Sequence, residues 1–322
     1  MKKLLTILIL VTTILLSISA LAFSNDFYTI TTATATGDFY ASGIALAQLF
    51  NEKFGKELDM DFSAMSSSGS AENLDLLMKK EAELALMQNN IVLWAYEGSR
   101  KYEGNKFEKI RMILPLFDAT YHFLVKNDIN SLSEIKGKTF VVGRAGSGTE
   151  TSAKAVFEAL GITYDDFKQE FVGAGEAADA IRNGLVDGLL ITGSYPDSAV
   201  SDVMVALQRR FKILSLSDEE VQKINKAEPW IMPLTIPANT YADQPEPINT
   251  LRHSTFLTTT DELSDKVAYL ITKTTWENIN WLKDAISQFG RMDINTLDNF
   301  FKYPVPIHPG AIEYYKEVGV FK

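Results

Sequence analysis

Two segments of this chain, ENLDLLMKKEAELALMQNN (residues 72–90) and EAADAIRNGLVDGLLITGS (residues 176–194), share one pattern. Each predicts a helix, then a short apolar strand, then a loop of small polar residues. A glycine stands at the same distance before each segment, Gly69 before the first and Gly173 before the second. A chain that builds this unit twice is expected to form two similar α/β lobes, and a cleft between lobes commonly binds small molecules.

The sequence around the first unit predicts alternating strands and helices. We expect strands at 27–31, 58–65 and 110–117, and a helix at 39–54 whose apolar residues recur near the 3.6-residue period. This βαβαβ order is typical of a mostly parallel sheet covered by helices, so the predicted fold class is α/β.

The second unit is expected to belong to a second lobe. The predicted elements of that lobe are strands at 121–126, 139–143 and 211–216 and helices at 151–160 and 221–227. Residues 230–237 are expected to cross back as an edge or irregular strand, because they contain prolines. The first lobe would then be completed by a strand at 254–258 and helices at 265–281 and 311–318.

These elements predict a two-lobed molecule in which the second lobe interrupts the first. The first lobe would comprise residues 25–119 plus 234–322, and the second lobe residues 120–233. We expect the candidate ligand loops of both lobes to face a central cleft.

Residues 1–24 are expected to be a cleaved secretory signal peptide. Lys2 and Lys3 give a positive start, 4–16 is mostly apolar, and 20–24 offers small residues for cleavage. The alternative is an uncleaved membrane anchor, but the apolar stretch is short for the ~30 Å core of a bilayer. We therefore expect a periplasmic or secreted protein.

Composition excludes several classes of function. The chain has no cysteine, so disulfides, thiol catalysis, cysteine-based metal sites and a lipoprotein anchor are impossible. Its formal net charge is −10 and it has no basic stripe, which argues against nucleic acid or anionic lipid as a partner. With 46% hydrophobic residues the chain is expected to be ordered.

The strongest local candidate for a binding loop is TFVVGRAGSGTE (139–150). A buried strand is predicted to run through a glycine-rich turn into a helix, and the S-x-x-E spacing at the helix start is that of a capping box. The backbone N–H groups and the helix start would favour a carboxylate or a phosphate. The candidate residues of this turn are Gly146, Ser147, Gly148 and Thr149.

The alternative for this turn is a capped strand–helix connection that binds nothing. The turn is not a P-loop, because no lysine follows the second glycine at the required spacing, and its dinucleotide-binding fingerprint is incomplete.

Arg144 is the one basic residue in the loops expected at the cleft. An arginine side chain can hold a carboxylate through two parallel hydrogen bonds. The alternative is an exposed arginine that pairs with a nearby acidic residue. We predict that Arg144 supplies the positive charge of the ligand site.

Further candidate ligand residues lie where predicted strands end or predicted helices begin, in both lobes. They are Thr36, Gly37, Tyr40, Ser67, Ser68, Gly69, Ser70, Asn73, Gln88, Asn89, Gly193, Ser194 and Tyr195. Each loop alone could be a plain turn, but α/β sheets present ligand groups at such strand ends. We expect Gln88, Asn89 and Tyr195 to orient the ligand and Tyr40 to pack against its apolar part.

The sequence favours binding over catalysis. His122, His253 and His308 stand outside known metal-ligand spacings, and no G-x-S-x-G nucleophile elbow occurs. No pair of acidic residues stands out as an acid–base couple. We therefore expect no enzymatic activity, no resident metal and no cofactor.

Several stretches of the chain, taken together, match a known pattern. They are Thr36-Gly37 before Phe39-Tyr40, SSSGSAENL (66–74), AELALMQNN (82–90), VGRAGSGTE (142–150), LTIPANTY (234–241) and PIHPGAIEYY (306–315). With them the chain resembles the TAXI family of solute-binding proteins, the extracytoplasmic components of one branch of TRAP transporters. The resemblance covers nearly all of the chain after the signal peptide.

The resemblance implies a type II periplasmic-binding fold, with two α/β lobes joined by a hinge of two crossing strands. It implies glutamate, glutamine or a related small organic acid as the ligand, and the membrane subunits of a sodium- or proton-coupled TRAP transporter as the partner. The chain departs from the family pattern in three candidate loops: 31–34 lacks the usual glycines, Arg144 stands where proline is common, and Asn89-Asn90 replaces a Ser-Asp pair.

The interpretation is thus a monomer that closes around one small carboxylate-bearing ligand and hands it to a transporter. The alternative is a ligand-sensing module that docks on a membrane receptor.

Overall fold

The structure, a computed structural model, describes residues 26–207 and 210–321. The predicted signal peptide lies outside these residues. The strands of the described part are β1 (Asp26–Thr31), β2 (Met60–Met65), β3 (Leu84–Gln88), β4 (Ile110–Lys126), β5 (Thr139–Val141), β6 (Lys168–Glu170), β7 (Gly188–Gly193), β8 (Phe211–Ile213), β9 (Met232–Ile236) and β10 (Ile248–Thr260). They form one sheet in the order β2-β1-β3-β10-β4-β7-β5-β6, with β8 paired to β4 and β9 to β10.

Helices connect these strands and pack on the sheet. They are α1 (Asp38–Phe50), α2 (Ser70–Met78), α3 (Asn89–Glu97), α4 (Gly148–Ala159), α5 (Ala174–Arg182), α6 (Ser198–Ala206), α7 (Asp218–Ala227), α8 (Asp265–Glu277), α9 (Ile279–Ala285), α10 (Asp298–Phe301) and α11 (Pro309–Glu317). No helix among the described residues is both long enough and apolar enough to cross a membrane.

The repeated unit forms the same structure in both halves of the chain, as the sequence predicts. In the first half, α2 leads into β3. Strand β3 pairs in parallel with β1, and β1 pairs in parallel with β2. In the second half, α5 leads into β7, which pairs in parallel with β5, and β5 pairs with β6. The strand expected at 58–65 starts later, at Met60, because Asp59 lies in a turn with φ of 55°.

Two long antiparallel strands, β4 and β10, join the halves. Their paired residues include Arg252 with Thr120, Ser254 with Asp118 and Thr260 with Ile110. On one side β10 also pairs with β3, and on the other side β4 pairs with β7. These strands therefore belong to both lobes and form the hinge region.

Two of the expected elements differ from the structure at this hinge. We predicted separate strands at 110–117 and 121–126, but the backbone continues through Asp118 as the single strand β4. We also predicted that 230–237 would cross back as an edge or irregular strand; β9 is an edge strand paired with β10 alone, but the crossing itself is made by β10. The strand expected at 254–258 lies within β10, and the pattern hid the start of β10 because it contains buried polar residues such as Thr250 and His253.

The second lobe packs on both faces of its part of the sheet. Phe123 and Phe140 belong to one buried cluster, and their neighbours Leu124 and Val141 belong to another. Alternate residues of a strand point to opposite faces, so the two clusters lie on opposite sides. The near-continuous apolar runs of these strands are typical of a sheet that is covered on both faces.

The boundary that we expected at residue 234 stays a prediction, and the packing favours a later one. Ile236, Tyr241 and Ile248 belong to the same buried cluster as Leu189 and Val200 of the second lobe. We therefore propose that the chain re-enters the first lobe within β10 rather than at 234.

The helix expected at 265–281 is divided into α8 and α9. Asn278 separates them with φ of −114° and ψ of 21°, outside the α-helical region. Its side-chain amide donates to the carbonyl of Thr274 at 2.8 Å, which caps the end of α8. A local side chain-to-backbone bond of this kind competes with helix continuation.

Gly310 allows α11 to pack against the start of α8. A methyl group added at Gly310 would lie 2.0 Å from the carbonyl oxygen of Asp265. We predict that Gly310→Ala lowers the free energy of unfolding by about 3 kcal/mol, the upper range for an overpacked site, in urea denaturation.

Gly290→Ala is the matched control, because its added methyl group meets no described atom within 4 Å. It is expected to change the free energy of unfolding by no more than about 0.5 kcal/mol. Equal losses in the two variants would contradict the role given to the contact between α8 and α11.

Candidate functional site

A cavity of about 100 Å³ lies between the two lobes, against the hinge strands. Half of the candidate ligand residues line it: Gly37, Ser68, Gly69, Ser70, Gln88, Arg144, Ser147, Gly148 and Thr149. The hinge contributes Phe117, Ala119 and His253 to its wall. The structure therefore brings the serine-rich loop of one lobe and the glycine-rich loop of the other to one place.

Four helices begin at this cavity. The residues preceding α1, α2, α4 and α5 are Gly37, Gly69, Ser147 and Gly173, and all four line the cavity. The N-terminus of a helix carries partial positive charge and unpaired N–H groups, so it favours an anion. Asp38, the first residue of α1, also lines the cavity and offsets this charge at α1.

Gly69 and Gly148 lie where the two lobes meet. Gly69 has φ of 118°, which favours glycine, although a methyl group added there would make only an ordinary contact with the backbone of Ser147, at 3.6 Å. A methyl group added at Gly148 would lie 2.4 Å from the side-chain amide of Gln88. The backbone conformation of Gly69 and the missing side chain at Gly148 therefore let α2 and α4 begin side by side at the cavity.

Gln88 carries an unusual buried atom in this cavity. The residue ends β3, is 3% exposed, and donates through its side-chain amide to Ser152 Oγ of the other lobe at 3.4 Å. Its side-chain oxygen is buried without a hydrogen-bond partner among the described residues. Buried polar atoms in proteins are almost always paired, so this oxygen is an acceptor whose donor lies outside the described residues.

Arg144 lines the cavity and also pairs with Glu176 at 3.1 Å. The side chains are 40% and 58% exposed, and ion pairs this exposed contribute only about 0–1 kcal/mol. The exposed ion pair that we considered as an alternative is therefore present, but it is weak enough for a ligand anion to compete with Glu176.

Asn73 and Ser67 hold the serine-rich loop and do not line the cavity. The Asn73 amide nitrogen donates to the carbonyls of Thr32 at 2.6 Å and Leu86 at 2.7 Å. Its oxygen accepts from the hydroxyls of Thr31 at 2.7 Å and Ser67 at 2.6 Å. Since both polar atoms are fully used, we propose that Asn73 positions this loop and makes no contact with ligand.

The other candidates outside the cavity wall are Thr36, Tyr40, Asn89, Gly146, Gly193, Ser194 and Tyr195. Phe39 takes the place that we expected for Tyr40, its neighbour on α1. Asn89, Ser194 and Tyr195 instead line a larger cavity of about 340 Å³. Their roles as ligand contacts stay predictions that this geometry does not favour.

The larger cavity lies on the other face of the hinge strands. Arg252 and Ser254 line it, whereas His253 between them lines the smaller cavity, and alternate strand residues point to opposite faces. Its arginines already have partners: Arg252 pairs with Asp118, and Arg291 lies 3.5 Å from the centre of the Tyr195 ring. We therefore place the candidate site in the smaller cavity, where the helices begin.

Asp38 and Asp197 form a pair of acidic residues across the lobes that the sequence analysis missed. Asp38 accepts the backbone N–H of Ser194 at 2.6 Å, while Asp197 accepts the N–H of Val200 at 3.0 Å and caps α6. A methyl group added at Gly193 would lie 2.9 Å from an oxygen of Asp38 and 2.7 Å from an oxygen of Asp197. The two carboxyl groups thus approach the same glycine from opposite lobes.

Burial raises the pKa of Asp197 to about 7, and the nearby charge of Asp38 adds to the shift. The N–H of Asp197 donates to the Tyr241 hydroxyl at 2.9 Å, which is hydrogen-bonded to Nε2 of His122 at 2.8 Å. Burial lowers the pKa of His122 to about 4, so this histidine is neutral at pH 7. His122 therefore supplies no positive charge to the pair formed by Asp38 and Asp197.

His253 is the histidine that reaches the cavity wall. Burial lowers its pKa to about 3, and its Nδ1 is hydrogen-bonded to the Tyr121 hydroxyl at 3.1 Å. It is therefore neutral and cannot balance a negative charge on a ligand.

The lobes are closed on each other in this structure. Beyond the Asp38–Ser194 and Gln88–Ser152 contacts, Arg100 pairs with Glu228 at 3.1 Å. Arg291 donates to the carbonyl of Tyr195 at 3.1 Å. These contacts hold the lobes in the arrangement that forms the cavity.

The cavity is also lined by Asp38, Gly173, Thr192 and His253, which were not among the predicted site residues. One of them, Gly173, could have been found from the sequence. Gly173 corresponds to Gly69 in the repeated unit, so the pattern that identified Gly69 also indicated Gly173. Asp38, Thr192 and His253 offered no comparable signal, because their place at the cavity follows from strand pairing and lobe closure.

Comparisons with known proteins agree with this architecture. A model of the NMT1-like family matches residues 30–319. A solved structure from Bordetella bronchiseptica RB50 is 15% identical, with a TM-score of 0.54 over 92% of this chain and 82% of that one. The periplasmic aliphatic sulphonate binding protein of Escherichia coli is 12% identical, with a TM-score of 0.47 over 91% of this chain and 84% of that one.

At such low identity the solved structures inform the fold alone. The Bordetella structure, with its TM-score of 0.54, agrees with the predicted α/β class. The chain belongs to the NMT1-like family and has a two-lobed α/β fold.

Proposed function

We propose that this chain is an exported solute-binding protein that closes its lobes around one small carboxylate-bearing ligand. The observation that carries the proposal is the meeting of helix starts from both lobes at one cavity. There, α2, α4 and α5 begin, and Arg144 and Gln88, whose side-chain oxygen is unpaired, line the same space.

The electrostatics of the cavity suit an anion. Glu72 and Glu176, in the first turns of α2 and α5, are exposed and bond to the N–H groups of Ser68 and Gly173, and neither glutamate lines the cavity. An anion held at these helix starts would gain charge-assisted hydrogen bonds from N–H groups.

Binding without turnover stays our proposal for the chemistry. The titratable side chains lining the cavity are Asp38, Arg144 and His253. Asp38 accepts hydrogen bonds from the Ser194 N–H and from Gln288, at 2.6 Å each. His253 is neutral and bonded to Tyr121, so neither group is poised for proton transfer to a ligand.

The resemblance to the TAXI family supports a TRAP-type transporter as the partner. We propose delivery of a small organic acid to its membrane subunits, with the protein working as a periplasmic or secreted monomer. Uptake of labelled ligand into proteoliposomes that contain the membrane subunits tests this. Uptake that does not depend on the added protein would favour the receptor-docking alternative.

Arg144→Ala is predicted to weaken ligand binding at least tenfold, about 1.4 kcal/mol, because it removes the cavity's cation. Isothermal titration calorimetry measures the change. Glu176→Gln is predicted to maintain or strengthen binding, because it frees Arg144 from its ion pair.

Arg182→Ala is the matched control for Arg144→Ala. Arg182 makes a similar exposed ion pair, with Asp179, on α5 and does not line the cavity. It should leave affinity unchanged. A loss in Arg144→Ala no larger than in Arg182→Ala would remove Arg144 from the site.

Closure is predicted to weaken as pH rises. In the closed form Asp197 is buried near Asp38 and its pKa is raised to about 7, whereas opening separates the two lobes. A raised carboxyl pKa contributes stability that is present at low pH and lost as pH rises through about 7. Ligand affinity is therefore predicted to fall about tenfold or more between pH 5 and pH 8, measured by titration at fixed ionic strength.

Asp197→Asn should flatten this pH profile, because asparagine stays neutral and still caps α6. The other charged groups near the pair, Asp202 and Arg291, are unchanged in this variant. Asp165→Asn, at an exposed position that lines neither cavity, should retain the wild-type profile. A profile that keeps its slope in Asp197→Asn would contradict the role of the acidic pair.

A further inference from the structure

We propose, resting on the proposed function, that the ligand is a short monocarboxylate that carries a hydrogen-bond donor on the carbon next to its carboxylate. The cavity would therefore discriminate against dicarboxylates, including glutamate. The size of the cavity, the charges of its wall and the unpaired oxygen of Gln88 each support one part of this assignment.

The size of the cavity limits the ligand to a few heavy atoms. An engineered apolar cavity of about 150 Å³ binds benzene, which has six carbons. The cavity between the lobes is about 100 Å³. It therefore admits a molecule of no more than about six non-hydrogen atoms, such as a three-carbon acid with one substituent.

Aromatic side chains in the cavity wall restrict the size of the ligand. The rings of Phe39 and Phe117 pack edge to face with centroids 5.9 Å apart, and both line the cavity. Phe39 comes from the first lobe and Phe117 from hinge strand β4, and Leu190 of the second lobe lines the same space. These side chains offer an apolar surface for the ligand's carbon atoms and no polar group for a second charged end.

The charges of the wall provide for one carboxylate. Arg144 is the cation among the described lining residues, and His253 is neutral. Asp38 lines the cavity, so a second carboxylate would meet a like charge there. A buried carboxylate without a partner is strongly unfavourable, so an added carboxylate should lower affinity.

Gln88 accounts for the donor beside the carboxylate. Gln88 and Gly148, the first residue of α4, line the same cavity, and the buried side-chain oxygen of Gln88 has no partner among the described residues. A ligand carboxylate at the start of α4 would thus lie beside an acceptor that needs a donor. A hydroxyl or an ammonium on the adjacent carbon meets that requirement.

The test is a binding panel of matched pairs with the wild-type protein, measured by calorimetry and thermal shift. Lactate and alanine carry the donor and propionate lacks it, while malate and aspartate add a second carboxylate to lactate and alanine. We expect lactate or alanine to bind at least tenfold more tightly than propionate, malate and aspartate. The tighter of lactate and alanine identifies the donor as hydroxyl or ammonium.

Gln88→Leu tests the donor directly. It should reduce the preference for the better of lactate and alanine over propionate to less than threefold. Gln222→Leu, at an exposed position on α7, should retain the preference. Because propionate serves as an internal reference within each variant, a general loss of folding would lower both affinities and leave their ratio informative.

Several outcomes overturn this inference. Equal or tighter binding of malate, aspartate or glutamate would overturn the charge argument, and tight binding of glutamine would overturn the size limit. Propionate binding as well as lactate and alanine would overturn the donor. Each of these results leaves the proposed solute-binding function standing, whereas a panel in which no carboxylate binds would remove the proposed function itself.

Discussion

The antiparallel pairing of β4 with β10 is the constraint on which the rest of the structure depends. Both strands run through both lobes, and their ladder joins the sheet of one lobe to that of the other. The Thr250 hydroxyl adds a bond to the Tyr121 carbonyl at 2.7 Å within this ladder. Because the hinge fixes how the lobes face each other, it also decides which loops can share a ligand.

The candidate site uses the backbone more than charged side chains. Helix starts from both lobes supply N–H groups, and their charge is fixed by the fold. Arg144 adds a full positive charge. Its ion pair with Glu176 is exposed and weak, so a ligand anion can compete with Glu176 for it. A ligand that bridges α2 and α4 would stabilise only the closed form, since the two helix starts separate on opening.

Closing the lobes to form the site also brings two carboxyl groups together, which is electrostatically unfavourable. Asp38 and Asp197 approach one glycine from opposite lobes, and the raised pKa of Asp197 reflects that burial. Ligand binding and protonation therefore favour the same closed arrangement. Deprotonation of Asp197 opposes the closed arrangement, which would assist release of the ligand.

The sequence by itself determined the α/β class, the repeated unit and the loops of small residues before α2 and α4, since these follow from local periodicity and capping. It could not determine that 110–126 is one strand, or that the strand expected at 254–258 begins at Ile248, where buried polar residues such as Thr250 and His253 obscure the apolar pattern. Only the tertiary structure decided that Gln88 lies at the cavity with Gly148, that Asn73 is fully used in bonds to Thr32, Leu86 and their neighbours, and that Asp38 meets Asp197. These facts depend on contacts between residues far apart in the chain, which no local pattern encodes.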